Sequence, residues 1–138
     1  MKITSKIERM VAIIDENMTT LEAAELMREK YIGSVVVTSN SGVKGMFTER
    51  DLMLHVVGGK KDPATTKIKD VMPADFVKVK PDEQSERCLD LMKAHRCRHL
   101  LVFDGDEFVG LVSLRDMVAL MLEEKEELIS RLKEYITS

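Results

Sequence analysis

Residues 20–51 laid against residues 85–116 align without a gap at a constant offset of 65 residues. Six pairs are identical: Leu26 with Leu91, Met27 with Met92, Val37 with Val102, Gly45 with Gly110, Arg50 with Arg115 and Asp51 with Asp116. Other pairs keep their chemical class, as Thr20 with Ser85, Met46 with Leu111 and Thr48 with Ser113 do. Self-similarity at a fixed period means two copies of one supersecondary unit.

The patterning within each copy reads β-α-β-β-α. A short apolar run, Met10 to Ile14 or Phe76 to Val79, forms the first strand. A hydroxyl at Thr20 or Ser85 is expected to cap a helix whose apolar positions Leu21, Ala24 and Met27, or Cys88, Leu91 and Met92, recur at helical spacing. These helices end near Lys30 and Arg96. Runs at Ser34 to Val37 and Leu100 to Phe103 follow, then turn residues Asn40-Ser41-Gly42 and Asp104-Gly105-Asp106, and return strands at Val43 to Phe47 and Phe108 to Val112. A second helix leaves Thr48 or Ser113 with Arg50-Asp51 or Arg115-Asp116 in its first turn. Gly58-Gly59 closes the first copy. The boundaries fall at 1–59 for the first copy, 60–66 for a linker holding Asp62-Pro63, 67–122 for the second copy and 123–138 for a helical extension. One unit cannot cover both faces of a three-stranded sheet, so the copies are expected to pack sheet to sheet about a pseudo-twofold axis with clefts between them.

Composition narrows the function. At 138 residues the chain is long enough to bury about two thirds of its unfolded surface as a single domain. Its 44% hydrophobic and 33% charged residues are those of a globular protein. No apolar run approaches the ~20 residues of a membrane span. The first six residues lack the apolar core of a signal peptide, so a cytoplasmic location is expected. Two cysteines, Cys88 and Cys97, are too few for a disulfide framework. A net charge of −3, four Phe, two Tyr and no Trp disfavour nucleic acid as the partner. Ten methionines indicate an adaptable core. Neither a nucleophile with its base, a Walker loop nor a plausible carboxylate pair is present, so an enzyme is not expected.

A doubled β-α-β-β-α unit ending in Gly45-Met46-Phe47-Thr48-Glu49-Arg50-Asp51 and Gly110-Leu111-Val112-Ser113-Leu114-Arg115-Asp116 resembles the CBS domain, whose tandem pairs are called Bateman modules. Val71-Met72-Pro73 and Tyr31-Ile32-Gly33-Ser34-Val35-Val36-Val37 are also familiar wordings of that family, and the resemblance runs to about residue 122. It implies a mixed α+β fold and a non-enzymatic regulatory module that binds AMP, ADP, ATP or another adenosyl ligand such as S-adenosylmethionine, with no other cofactor. It also implies a homodimer and a regulated partner protein acted on in trans. By the same resemblance Asp51 and Asp116 hold the ribose, and Thr48 and Ser113 support the phosphate or sugar. Arg98 and His99, directly before a strand, reach a phosphate, and Phe76 and Val77 line the ligand at the start of the second copy's first strand.

Each of these residues also has a plainer reading. A hydroxyl at the N-cap with an acid three residues on is a capping box whether or not a ligand is present. Arg50 and Arg115 are either solvated first-turn residues or phosphate clamps. The first copy has Gly33 and Ser34 where the second has Arg98 and His99, so the two clefts are expected to differ, with the Asp51 cleft receiving the basic rim from the opposite copy. His95, Cys97 and His99 are legitimate zinc ligands, but successive residues of an extended chain point to opposite faces and a fourth ligand such as Cys88 is not at finger spacing, so no metal is expected. Cys97 reads as core and His55, beside Val56 and Val57, as a satisfied structural histidine. Beyond the second copy, Val118, Met121, Leu128, Leu132 and Tyr135 form an apolar stripe that Lys125 interrupts, which suggests docking on the body or on another subunit rather than a long coiled coil.

Overall fold

The computed structural model describes residues 1–137 and contains two three-stranded sheets, each in its own compact unit. One unit comprises Met10–Phe76 and the other Met1–Arg9 with Val77–Ser138. In the first, β1 (Ile13–Asp15) runs parallel to β2 (Ser34–Ser39), which pairs antiparallel with β3 (Gly42–Thr48). Helix α1 (Thr20–Lys30) makes the crossover, and α2 (Glu49–Asp51) continues directly into a π-helical stretch, Leu52–Val57. The second repeats the plan with β4 (Lys78–Val79), α3 (Ser85–His95), β5 (His99–Asp104), β6 (Glu107–Ser113) and the long α4 (Leu114–Thr137). The repeat extends to irregularities: the ladder slips after Val37 in one hairpin and after Val102, its equivalent, in the other.

The units exchange segments. The 3-10 turn Ile3–Lys6 that precedes the first copy belongs to the unit of the second, where Ile3 is fully buried with Val79, Leu100, Val112 and Met117. Its equivalent, Ile68–Asp70, precedes the second copy and belongs to the unit of the first, where Ile68 is fully buried with Phe47, Val35 and Val56. Backbone bonds fix both segments. Glu8 donates to the Leu111 carbonyl at 2.8 Å and accepts from the Leu111 amide at 2.9 Å, while Thr20 donates to the Thr66 carbonyl at 2.8 Å. Gly110 makes the first possible: a β-carbon there would lie 2.2 Å from the Glu8 carbonyl oxygen.

Several sequence expectations need correction: of the expected first strands, only Ile13 and Ile14 of Met10 to Ile14, and Lys78 and Val79 of Phe76 to Val79, lie in β1 and β4. Thr20 and Ser85 are not the caps. Thr19, one residue earlier, closes a full capping box with Glu22, leaving Thr20 buried with its hydroxyl donated to the Pro63 carbonyl at 3.0 Å, while Gln84 precedes α3 without a side-chain cap. Consequently α1 turns Thr20, Ala23 and Met27 inward, and Leu21 is exposed. His55 is also exposed rather than structural. At the repeat offset it corresponds to Leu120, which is buried, but the π-helical stretch carries extra residues per turn and brings Val56 inward in its place. Gly58 and Gly59 then fit beneath the widened turn, since a β-carbon on either would lie 2.8 Å or 2.7 Å from the Leu54 or His55 carbonyl.

The helices α1 and α3 end as expected, each on a left-handed residue, Tyr31 and Arg96. The terminal stripe does not dock on the body: Met121, Leu122, Leu128, Ile129, Leu132, Tyr135 and Ile136 are all exposed. Among the described residues no helix is long and apolar enough to cross a membrane.

Candidate functional site

The two copies place the same constellation at the same point, where the last strand of each sheet turns into its final helix. In the first unit the Thr48 amide and hydroxyl both donate to Asp51 Oδ2, at 2.9 and 3.0 Å, and the Asp51 amide donates back to Thr48 Oγ1 at 3.3 Å. In the second the Ser113 amide and hydroxyl donate to Asp116 Oδ2 at 2.8 and 2.9 Å, and the Asp116 amide donates to Ser113 Oγ at 3.2 Å. Both are capping boxes, and the local energetics explain them without a ligand. Yet all the capping bonds on each aspartate go to one oxygen. The cap does not use Oδ1 of Asp51 or Asp116, and both carboxylates are only half-buried.

Strand and helix are locked together at this corner. The Gly33 carbonyl accepts from the Glu49 amide at 2.9 Å, and the Arg98 carbonyl accepts from the Leu114 amide at 2.8 Å. Ser34 and His99 sit opposite Thr48 and Ser113 in the strand registers. The structure therefore brings together Ser113, Asp116, Arg98 and His99 in one unit, and Thr48 and Asp51 with Gly33 and Ser34 in the other. Arg50, Arg98 and Arg115 are exposed, and His99 is half-buried. Phe76 belongs to the unit of Asp51, its ring edge 3.6 Å from where a β-carbon on Gly45 would lie, and Val77 to the unit of Asp116, where its carbonyl accepts from Leu101.

Sequence reasoning missed Glu49. Its carboxylate lies against Gly33, within about 3.1 Å of a β-carbon built there, so this corner carries two acids while its counterpart carries Leu114 beside Arg98. The signal was present in the alignment, where Glu49 faces an apolar partner, Leu114.

The three residues weighed as zinc ligands fall in different elements. His95 ends α3, Cys97 packs against the core and His99 lies in β5; among the described residues no three His, Cys, Asp or Glu gather to hold a metal ion. Burial pushes the Cys88 thiol up to about 11 and raises that of Cys97, so neither is a ready thiolate. A surface groove between β1 and α1, lined by Ile13, Met18, Leu26, Asp15, Glu22 and Glu25, contains none of the corner residues, and its acidic wall is unsuited to a phosphate.

Comparison with known proteins follows the same division. The family described as CBS domain matches the chain twice, at residues 6–58 and 68–123. CBS domain-containing protein YhcV from Bacillus subtilis is 34% identical over 107 residues, 78% of this chain and 76% of that protein. A mitochondrial CBS domain-containing protein from Arabidopsis thaliana is 28% identical over 123 residues, 86% of this chain but 60% of its own length. The solved structure of a protein with CBS domains from Burkholderia ambifaria superposes with a TM-score of 0.82 at 31% identity, over 88% of this chain and 91% of that one. Two matched repeats, a shared fold and these identities have one reading: the chain belongs to the CBS domain family.

Proposed function

We propose that the chain is a non-enzymatic sensor that binds an adenine nucleotide, AMP, ADP or ATP, or a related adenosyl ligand. CBS domains are generally regulatory modules and often take such ligands. The observation that carries the reading is the doubled corner: at each, a helix start supplies a hydroxyl and an aspartate whose Oδ1 is not used by the cap. A carboxylate oxygen so placed suits the hydroxyls of a ribose, and Arg50, Arg98 and Arg115 suit phosphate through the guanidinium fork. The acid pair Glu49 and Asp51 repels additional phosphate negative charge at one corner, so the two corners differ in preference for phosphate number. A ligand present at 100 times its dissociation constant adds ~2.7 kcal/mol to stability. Each adenine nucleotide in turn is therefore expected to raise the melting temperature by an amount that grows with its concentration, measured by thermal denaturation. No rise with any of them favours a ligand-free module that docks a partner protein.

The same reading includes a dimer. Met53, Leu54 and Val57 in one unit and Val118, Met121 and Leu122 in the other are exposed apolar residues on the final helices. Sedimentation at micromolar concentration is expected to give twice the chain mass, and truncation after Glu123 to weaken the association. A monomer mass that persists on concentration contradicts it.

A further inference from the structure

We propose that the part of α4 beyond residue 120 is an antiparallel pairing element, which binds the same helix of a second copy with Leu128 and Ile129 at the twofold axis. The proposal rests on the dimer reading and specifies its geometry. From Met121 to Thr137 the helix projects about 25 Å with almost every residue exposed. Its apolar residues are not scattered. Met121, Leu128 and Tyr135 are spaced by seven, as are Leu122, Ile129 and Ile136, and Val118 and Leu132 complete a third row with Lys125 between them. This three-row stripe is the face of a helix that packs against another helix.

The charges beside the stripe choose the partner and its direction. At 100° per residue Glu124 and Arg131 lie along one flank of the stripe, and Glu126 and Lys133 along the other. When two such helices run parallel, opposite flanks meet at equal height, bringing Glu124 to Glu126 and Arg131 to Lys133 of the second copy. Like then meets like on both sides, and the two Lys125 ammonium groups meet inside the seam. When they run antiparallel, each flank meets itself reversed. Glu124 then faces the second copy's Arg131, and Glu126 its Lys133; the two pairings centre one residue to either side of the midpoint between Leu128 and Ile129, so together they place the twofold axis there. Lys125 is moved opposite Leu132, where its stem covers apolar surface and its amine leaves toward solvent. Two of these groups already have partners, which the pairing would share or replace. Arg131 pairs with Glu127 on its own helix in an exposed ion pair, which is weak. Glu124 meets the Met1 amine at the helix's inner end.

Disulfide trapping in the full chain tests the geometry, with the wild type as control for Cys97. Ile129→Cys is expected to form a disulfide-linked dimer under mild oxidation. Met121→Cys alone is expected not to, whereas Met121→Cys mixed with Ile136→Cys gives the crossed dimer. Glu126→Lys is expected to weaken the dimer several-fold, and Glu126→Lys with Lys133→Glu to restore it. Met121→Cys linking to itself as readily as Ile129→Cys overturns the antiparallel assignment. Dimer mass by sedimentation with no trapping at any position overturns the pairing element while sparing the dimer, and monomer mass overturns both.

Discussion

Gly110→Ala is expected to destabilise the protein by about 2–4 kcal/mol in denaturant unfolding, far beyond the usual effect of an added methyl group. The methyl would lie 2.2 Å from the Glu8 carbonyl oxygen and 2.9 Å from its carbon, and backbone cannot swing aside as a side-chain tip can. The two Glu8–Leu111 bonds must break, at about 0.5–1.5 kcal/mol each. Their loss also frees the segment that carries Ile3 into the core, where an Ile→Ala change alone costs about 2–5 kcal/mol. Because both changes act on one segment, Gly110→Ala and Ile3→Ala should combine to less than the sum of their separate effects. Stability within 0.5 kcal/mol of wild type for Gly110→Ala would show that the edge of β6 does not need this segment.

The second large effect concerns the corners. Asp51→Asn and Asp116→Asn keep an oxygen to accept the capping bonds but replace the other with an amide nitrogen, a donor where a ribose hydroxyl requires an acceptor. A charge-assisted hydrogen bond is worth about 1.5–3 kcal/mol, so each change is expected to weaken nucleotide binding at its own corner by about 10- to 150-fold. Stability should change little, because the cap survives. The alanine variants lose both functions and are expected to cost about 1 kcal/mol of stability as well. Equal affinity for the asparagine variants and wild type, with the alanine variants merely less stable, would make the boxes purely structural.

The fold was legible because the chain states it twice. Gly45 and Gly110, Val37 and Val102, and the Thr/Ser-x-x-Asp boxes fall at one offset, and the strands, hairpins and helix ends follow from them. What local pattern could not decide was set by contacts distant in sequence. Thr19 and Thr20 are equally good caps until the Pro63 carbonyl claims the Thr20 hydroxyl. His55 is placed on an apolar face by an α-helical period, and only the π-helical stretch brings Val56 inward in its place. Ile3 gives no local sign that it belongs in a core built from residues some 80 positions later, although its equivalence to Ile68 at the repeat offset was there to be read. The corner residues were legible as residue types in position. The use of a single oxygen of each aspartate by its cap, and the approach of Glu49 to Gly33, needed coordinates.

Calorimetric titration of AMP, ADP and ATP into the wild-type chain and into the Asp51→Asn/Asp116→Asn variant tests the central claim most directly. Saturable binding of at least one nucleotide to the wild type, weakened about 10- to 150-fold in a double variant that melts within a few degrees of it, is the predicted result. Heats that match dilution for all three nucleotides with the wild type, or the same isotherm with the double variant, would contradict the claim that these corners bind a nucleotide.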